Sequence, residues 1–282
     1  MLKKIYDIEN CIHIKPVKRS EEEALSVANI VCSSVYDTSD PYKWHYINGK
    51  YYRFKFFDRI YPILNELIGP KLAKFMDLKT ACNTPAILDC DEHFKMYGVL
   101  SENFKDPAKE YVDMFDIGFR HKKKPNYKNI DLLKRFCLEE DYYPLINDLF
   151  KMTCIDYLME QVDRVASNFL FEKDGNKLSF APLFDYAESF DYAKYGCTFN
   201  KRENHDLSFS VANSFIAPIF TEKKFEKILK KHPSFGAYLK RICEIDIISI
   251  INEIEAEHNI KISDEHKDHY YIRTRQKQKV LF

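Results

Sequence analysis

The stretch QVDRVASNFLFEKDGNKLSFAPLFDY, residues 161–186, decides how the fold of this chain is interpreted. It follows a run of apolar residues at helical spacing that begins after Pro144. Within it, two short β-prone runs are separated by Asp174-Gly175, a pair that favours a tight hairpin turn. The sequence therefore predicts a long buried helix, a connecting loop and a β-hairpin, in that order.

Three polar side chains stand at the open end of this predicted hairpin. Asn168 stands where the first strand begins, Asp185 lies just beyond the second, and Asp163 precedes Asn168 by five residues. Phosphoryl transfer needs a carboxylate near the acceptor hydroxyl, and Mg²⁺ prefers hard oxygen ligands such as a carboxylate and an amide. The alternative is a helix-end Asp, a strand-capping Asn and a turn Asp, because such spacing is common by chance.

These residues also carry a resemblance to a known family. Asp163-Arg-Val-Ala-Ser-Asn168 resembles the Asp-x-x-x-x-Asn catalytic loop of the protein-kinase superfamily. Together with Pro182-Leu-Phe-Asp185-Tyr, it resembles the HipA-like bacterial Ser/Thr kinases. The resemblance implies that Asp163 is the catalytic base and that Asn168 and Asp185 bind the metal. Arg164 either holds a phosphorylated loop residue or caps the helix.

The first part of the chain is similar to the small lobe of the same family. Lys55 lies in the second strand of a hairpin predicted around Asn48-Gly49, and Glu66 lies on a helix predicted from about Pro62 to Met76. The resemblance implies that Lys55 contacts the ATP phosphates and that Glu66 positions it. The alternatives are an edge-strand lysine with its head in water and a glutamate on a solvated helix face.

Two further segments are assigned through this resemblance. Phe94–Phe104 resembles the strand and hinge of the family, which implies that the backbone of Tyr97, Gly98 and Val99 faces adenine. The segment Ser33–Lys43 occupies the place of the glycine-rich loop but contains no glycine.

Within that glycine-free segment, backbone amides, the hydroxyls of Thr38 and Ser39, and the ammonium of Lys43 are the candidate phosphate-binding groups. The hydroxyls clustered in Ser33–Ser39 also motivate a hypothesis of autophosphorylation there.

The predicted fold class is α+β, a two-lobed protein-kinase-like fold. Residues 1–105 form an N-lobe of strands with one key helix, and residues 106–282 form a helical C-lobe with the catalytic loop and the metal-binding hairpin. Further predictions are an N-terminal capping box at Ser20–Glu23, helices at Phe225–His232 and Ile242–His258, and a frayed basic tail at Arg273–Lys279.

Composition narrows the class of protein. The 282 residues carry 43 basic and 43 acidic side chains, so direct nucleic-acid binding is not expected. No signal-peptide core and no apolar run of about 18 residues is found, so no membrane span is expected. Eight cysteines without a CxxC pair suit a reducing cytoplasm. The resemblance also leaves a secreted effector open.

The function implied by the resemblance is that of an ATP- and Mg²⁺-dependent Ser/Thr protein kinase that phosphorylates itself and a protein partner. HipA-like proteins often act beside a repressor, so an antitoxin or regulatory partner is also implied. Two alternatives remain: a small-molecule or lipid kinase on the same fold, and a pseudokinase that acts as a binding module. Gln161-Val-Asp163 differs from the His-Gly-Asp usual in aminoglycoside kinases. A toxin, an effector and a housekeeping enzyme all remain open.

Overall fold

The computed structural model describes residues 11–113, 143–161, 164, 168–175, 177–190, 230 and 232–281. Asp163 and nearly all of the predicted helix at Phe225–His232 lie outside these described residues. Among the described helices, none is both long enough and apolar enough to cross a membrane.

A five-stranded sheet forms the first half of the described chain. Its strands are β1 (Ile12–Ile14), β2 (Trp44–Ile47), β3 (Lys50–Phe56), β4 (Asn83–Asp89) and β5 (Lys95–Glu102), in the order β1-β4-β5-β3-β2. The β1–β4 pair is parallel and the other pairs are antiparallel. The predicted hairpin is confirmed, because Asn48 and Gly49, with φ of 49° and 84°, join β2 to β3.

Three helices accompany this sheet, namely α1 (Glu21–Val31), α2 (Val35–Ser39) and α3 (Ile60–Phe75). The capping box predicted at Ser20 and Glu23 is confirmed at the start of α1. The short helix α2 occupies the segment expected to form a phosphate loop, and Ser34 caps it by accepting from the Asp37 amide. Helix α3 packs against β4 and β5.

Alternation along β3 separates its side chains between the two faces of the sheet. Phe54 is buried in a small core on one face together with Ile14, Leu88 and Leu100. Lys55, the next residue, therefore points to the opposite face, where it meets Glu66 of α3.

The second half of the described chain is mostly helical. It contains β6 (Glu110–Asp113), α4 (Tyr143–Leu158), β7 (Leu170–Asp174), β8 (Lys177–Phe180), α5 (Pro233–Cys243), α6 (Ile247–His258) and α7 (Asp264–Val280). Strands β6, β7 and β8 form an antiparallel sheet in that order. The hairpin predicted at Asp174-Gly175 is confirmed, and Gly175 has a φ of 56°.

The helix predicted at Ile242–His258 is wrong in its continuity. The chain breaks between α5 and α6, because Asp246 caps α6 by accepting from the amides of Ile248 and Ser249 at 3.1 and 3.4 Å. Helix propensity alone did not reveal this stop.

The prediction of a frayed basic tail is also wrong, because Arg273–Lys279 lies within α7. Gln278 Nε2 donates to the carbonyls of Ile242 and Ile245, which are exposed at the end of α5, at 3.0 and 2.9 Å. Arg273 and Lys277 both pair with Glu160, which follows α4. The buried carboxylate compensates the basic charge, so this part of the tail packs instead of fraying.

One apolar core runs continuously through α3, α4, the β7–β8 hairpin and helices α5 to α7. Its closest approach between lobes is at Gly69 of α3, where an added Cβ would lie 2.2 Å from Cγ of Tyr186. Only glycine allows the ring to pack there, so α3 is pressed against the residue that follows Asp185.

Substitution of Glu160 tests how α7 is held. Burial raises the pKa of Glu160, but the charges of Lys277 and Arg273 lower it more, so the pKa lies below its ordinary value. The carboxylate therefore stabilises the fold above about pH 4.3, and this contribution is lost as pH falls below that value. We expect Glu160→Gln to lower the free energy of unfolding by about 3 kcal/mol at pH 7.

Urea denaturation at pH 7 and pH 3.5 measures this effect. The loss should shrink at pH 3.5, where the wild-type carboxylate is itself partly protonated. Glu253→Gln is the control, because Glu253 is 62% exposed and pairs with Lys71 in solvent. An equal loss for Glu160→Gln at both pH values would contradict the proposed ionic role.

Candidate functional site

Three of the predicted site residues meet at one ion-pair cluster. Lys55 Nζ lies 2.9 Å from Glu66 Oε1 and 3.3 Å from Asp185 Oδ1. The Glu66 side chain is fully buried, that of Lys55 is 17% exposed, and that of Asp185 is 38% exposed. Burial lowers the pKa of Lys55, but the charges of Glu66 and Asp185 raise it more, so Lys55 keeps its positive charge.

Glu66 is held by Asn83 at the start of β4. Pro70 lies four residues after Glu66 within α3 and has no N–H to donate to the Glu66 carbonyl. The side-chain amide of Asn83 donates to this carbonyl at 2.7 Å and to Glu66 Oε2 at 2.8 Å. A single amide thus satisfies the backbone group that proline leaves unpaired and orients the carboxylate toward Lys55.

The backbone around Asp185 is fixed from two sides. Asp185 has a φ of 63°, in the left-handed region that is uncommon for residues other than glycine. Gln161 Nε2 donates to the Asp185 carbonyl at 3.0 Å, and Arg164 Nη1 donates to the Phe184 carbonyl at 2.9 Å. These two donors pay for the unusual conformation and set the direction of the carboxylate.

Arg164 has neither of the two roles that its sequence suggested. Its side chain is fully buried, and its Nε and Nη2 each donate to the carboxylate of Asp156 on α4 at 3.1 Å. The guanidinium also lies 5.4 Å from the centre of the Tyr186 ring. Arg164 therefore ties α4 to the segment that carries Asp185.

Asn168 stands at the same end of the hairpin as Asp185. It is 7% exposed and lies two residues before β7. The pairing of the hairpin extends to its open end, where the Ala181 amide donates to the Leu170 carbonyl at 3.0 Å. The position at the open end agrees with the prediction for both residues. The third member of the predicted set, Asp163, lies outside the described residues.

A cavity of about 540 Å³ lies beside this cluster, between the five-stranded sheet and the second half of the chain. Its walls include Lys55, the segment 101–105 at the end of β5, and Phe184 next to Asp185. Ser33 and Lys43 close another side. The ammonium of Lys55 thus faces a space that is large enough for a small-molecule ligand.

The structure does not bring the predicted adenine-facing residues to this cavity. Tyr97, Gly98 and Val99 lie inside β5, which pairs with β3 on one side and β4 on the other. Backbone groups within such a central strand are engaged by its neighbours. Residues 101–105, where β5 ends, line the cavity instead.

The predicted phosphate-binding hydroxyls are likewise engaged elsewhere. Thr38 is fully buried, and its Oγ1 donates to the Ala24 carbonyl at 2.8 Å. Ser39 Oγ donates to the Tyr36 carbonyl at 2.9 Å. Lys43 does line the cavity, and its Nζ lies 2.9 Å from Asp37 Oδ1.

Comparison with solved structures identifies the fold. The crystal structure of the Helicobacter pylori proinflammatory kinase CtkA matches with a TM-score of 0.54 and 15% identity, over 84% of this chain and 86% of that one. HipA of Shewanella oneidensis MR-1, in a toxin–antitoxin complex with HipB and operator DNA, matches with a TM-score of 0.52 and 13% identity, over 95% of this chain and 71% of that one.

These matches confirm the predicted α+β kinase-like fold and the resemblance to HipA at the level of structure. In sequence, no protein-family model matches the chain, and no curated protein matches it significantly.

Substitution of Asn83 tests the support of Glu66. Asn83→Asp keeps the shape of the side chain but replaces its donor with an acceptor that faces both Glu66 oxygens. We expect the free energy of unfolding at pH 7 to fall by about 3 kcal/mol, because a buried carboxylate then loses a hydrogen bond and meets a like charge.

Urea denaturation measures the change. Asn252→Asp is the matched control, because Asn252 is exposed and its Oδ1 accepts from Lys267. We expect this control to stay within about 0.5 kcal/mol of the wild type. Equal, small effects of the two substitutions would show that Asn83 does not support Glu66.

Proposed function

We propose that this chain is an ATP- and Mg²⁺-dependent phosphotransferase that acts as a Ser/Thr protein kinase. The observation that carries the proposal is the cluster of Lys55, Glu66 and Asp185 at the wall of the 540 Å³ cavity. In kinases, a strand lysine held by a helix glutamate contacts the phosphates, and an aspartate after the catalytic loop binds the metal. The kinase-like fold of the two structural neighbours supports the same assignment.

In this proposal, ATP occupies the cavity with its base against residues 101–105 and its phosphates toward Lys55. The Asp185 carboxylate and the Asn168 amide fit Mg²⁺, because both are hard oxygen donors at one end of the hairpin. Bound Mg²⁺ would neutralise charge on the phosphates. Asp163 orients the acceptor hydroxyl, while Glu66 and Asn83 keep Lys55 directed into the cavity.

The proposed substrate is a hydroxyl of the chain itself and of a protein partner. The similar HipA structure was solved with HipB and operator DNA, which supports a regulatory or antitoxin-like partner here. The balanced charge of 43 basic and 43 acidic residues favours a protein partner over direct nucleic-acid contact. We place the activity in the cytoplasm on the basis of the cysteine pattern.

Transfer of labelled γ-phosphate from Mg-ATP tests the function. We expect the wild type to incorporate label, and Asp163→Ala and Lys55→Met each to lower incorporation at least about 100-fold, because the base or the phosphate contact is lost. Lys95→Ala is the control, because Lys95 lies on β5 and pairs with Asp89 away from the cavity. We expect it to keep wild-type incorporation.

Two other outcomes discriminate the alternatives. Thermal stabilisation by Mg-ATP without label would favour a small-molecule kinase. Neither label nor stabilisation would contradict the proposal and favour a pseudokinase, with the glycine-free segment as the physical reason.

Mass spectrometry of the labelled protein tests autophosphorylation within Ser33–Ser39. We expect phosphate on Ser33 or Ser34, because both line the cavity, and none on Thr38, whose hydroxyl is buried. Ser33→Ala with Ser34→Ala should abolish the modification, and Ser39→Ala should leave it unchanged. Phosphate found only outside this segment would refute the hypothesis.

A further inference from the structure

The carboxylate of Asp37 on α2 collects four donors at the wall of the cavity. Asp37 Oδ1 accepts from Lys43 Nζ at 2.9 Å and from Arg53 Nη2 at 3.3 Å. Asp37 Oδ2 accepts from Trp44 Nε1 at 2.9 Å and from Ser33 Oγ at 3.1 Å. All five residues line the cavity.

The two cations of this cluster share a wall with Lys55. Arg53 and Lys55 are two residues apart on β3 and therefore lie on the same face of the sheet. Arg53, Lys43 and Lys55 also line a second cavity of about 320 Å³ that reaches Asp185. Lys55 is neutralised by Glu66 and Asp185, whereas Lys43 and Arg53 are neutralised mainly by Asp37.

The surroundings of Asp37 are those that suit a phosphate group. Two cationic side chains, an indole N–H and a hydroxyl donate to one small anion, and such charge-assisted contacts bind phosphate oxygens equally well. Burial raises the pKa of Asp37, but hydrogen bonds from Lys43 and Trp44 and the charge of Arg53 lower it more, to about 2. Asp37 is therefore an anion at any working pH.

We propose that Asp37 is an internal substitute for a nucleotide phosphate, and that Lys43 and Arg53 exchange from its carboxylate to the polyphosphate of the ligand. The inference rests on the proposed function and assigns two new roles within it. Arg53 becomes a polyphosphate-binding residue, and Asp37 becomes an intramolecular competitor that weakens polyphosphate binding. In this chain, the charges of α2 and β3 thus replace a glycine-rich loop.

A purely structural role for Asp37 predicts the opposite sign. If the carboxylate only held Lys43 and Arg53 in place, its removal would release both cations and weaken anion binding. If it competes with the ligand, its removal strengthens anion binding, because like charges no longer contend for the same donors.

Isothermal titration of the full chain with inorganic tripolyphosphate separates the two roles. We expect Asp37→Asn, which keeps the shape and an acceptor for Trp44, to tighten binding about tenfold, and Arg53→Gln to weaken it about tenfold. Asp58→Asn and Arg59→Gln are the charge-matched controls on the same part of the chain, since their side chains are 88% and 55% exposed. We expect each to change binding less than about twofold.

Tripolyphosphate bound by Asp37→Asn no more tightly than by the wild type would overturn the inference. If Asp37→Asn does not fold, as judged by its thermal unfolding, Arg53→Gln and Lys43→Gln decide: loss of binding supports the inference, and unchanged binding overturns it. This binding does not depend on catalysis. The expected pattern without phosphate transfer from ATP would refute only the kinase proposal, whereas phosphate transfer without tighter binding by Asp37→Asn would refute only the role of Asp37.

Discussion

The ammonium of Lys55 between the carboxylates of Glu66 and Asp185 is the interaction on which the architecture depends. A charge that is almost buried is costly unless it is paired and hydrogen-bonded, so all three residues must be in place together. They come from β3, from α3 and from the end of the β7–β8 hairpin. The contact therefore fixes the sheet, its helix and the second half of the chain relative to one another.

Each partner of Lys55 is itself held by groups that have no other free choice. Pro70 leaves the Glu66 carbonyl without a helical donor, and the Asn83 amide fills that position while orienting the carboxylate. On the other side, buried Arg164 ties the segment before Asp185 to α4. Rigid support of this kind keeps a lysine directed into a cavity with little reorganisation when a ligand arrives.

The charges of the cavity wall are balanced within the chain. Each cation that faces the cavity has a carboxylate partner, and the strongest such cluster surrounds Asp37 on a helix that stands where a glycine-rich loop was expected. A chain with 7 glycines in 282 residues builds this wall from side chains instead of bare backbone. Binding an anionic ligand here means exchanging partners and not creating a new charged surface.

Local chemistry in the sequence determined the β2–β3 and β7–β8 turns, the capping box of α1, and the joint presence of Lys55, Glu66 and Asp185. Turn and cap preferences act between near neighbours, and the spacing of a catalytic loop is visible as such. Only the tertiary structure decided that Asn83 supports Glu66, that residues 101–105 line the cavity in place of 97–99, and that the basic tail packs as α7. These outcomes depend on contacts between residues far apart in the chain, such as Lys277 with Glu160, where burial and charge pairing override local propensity.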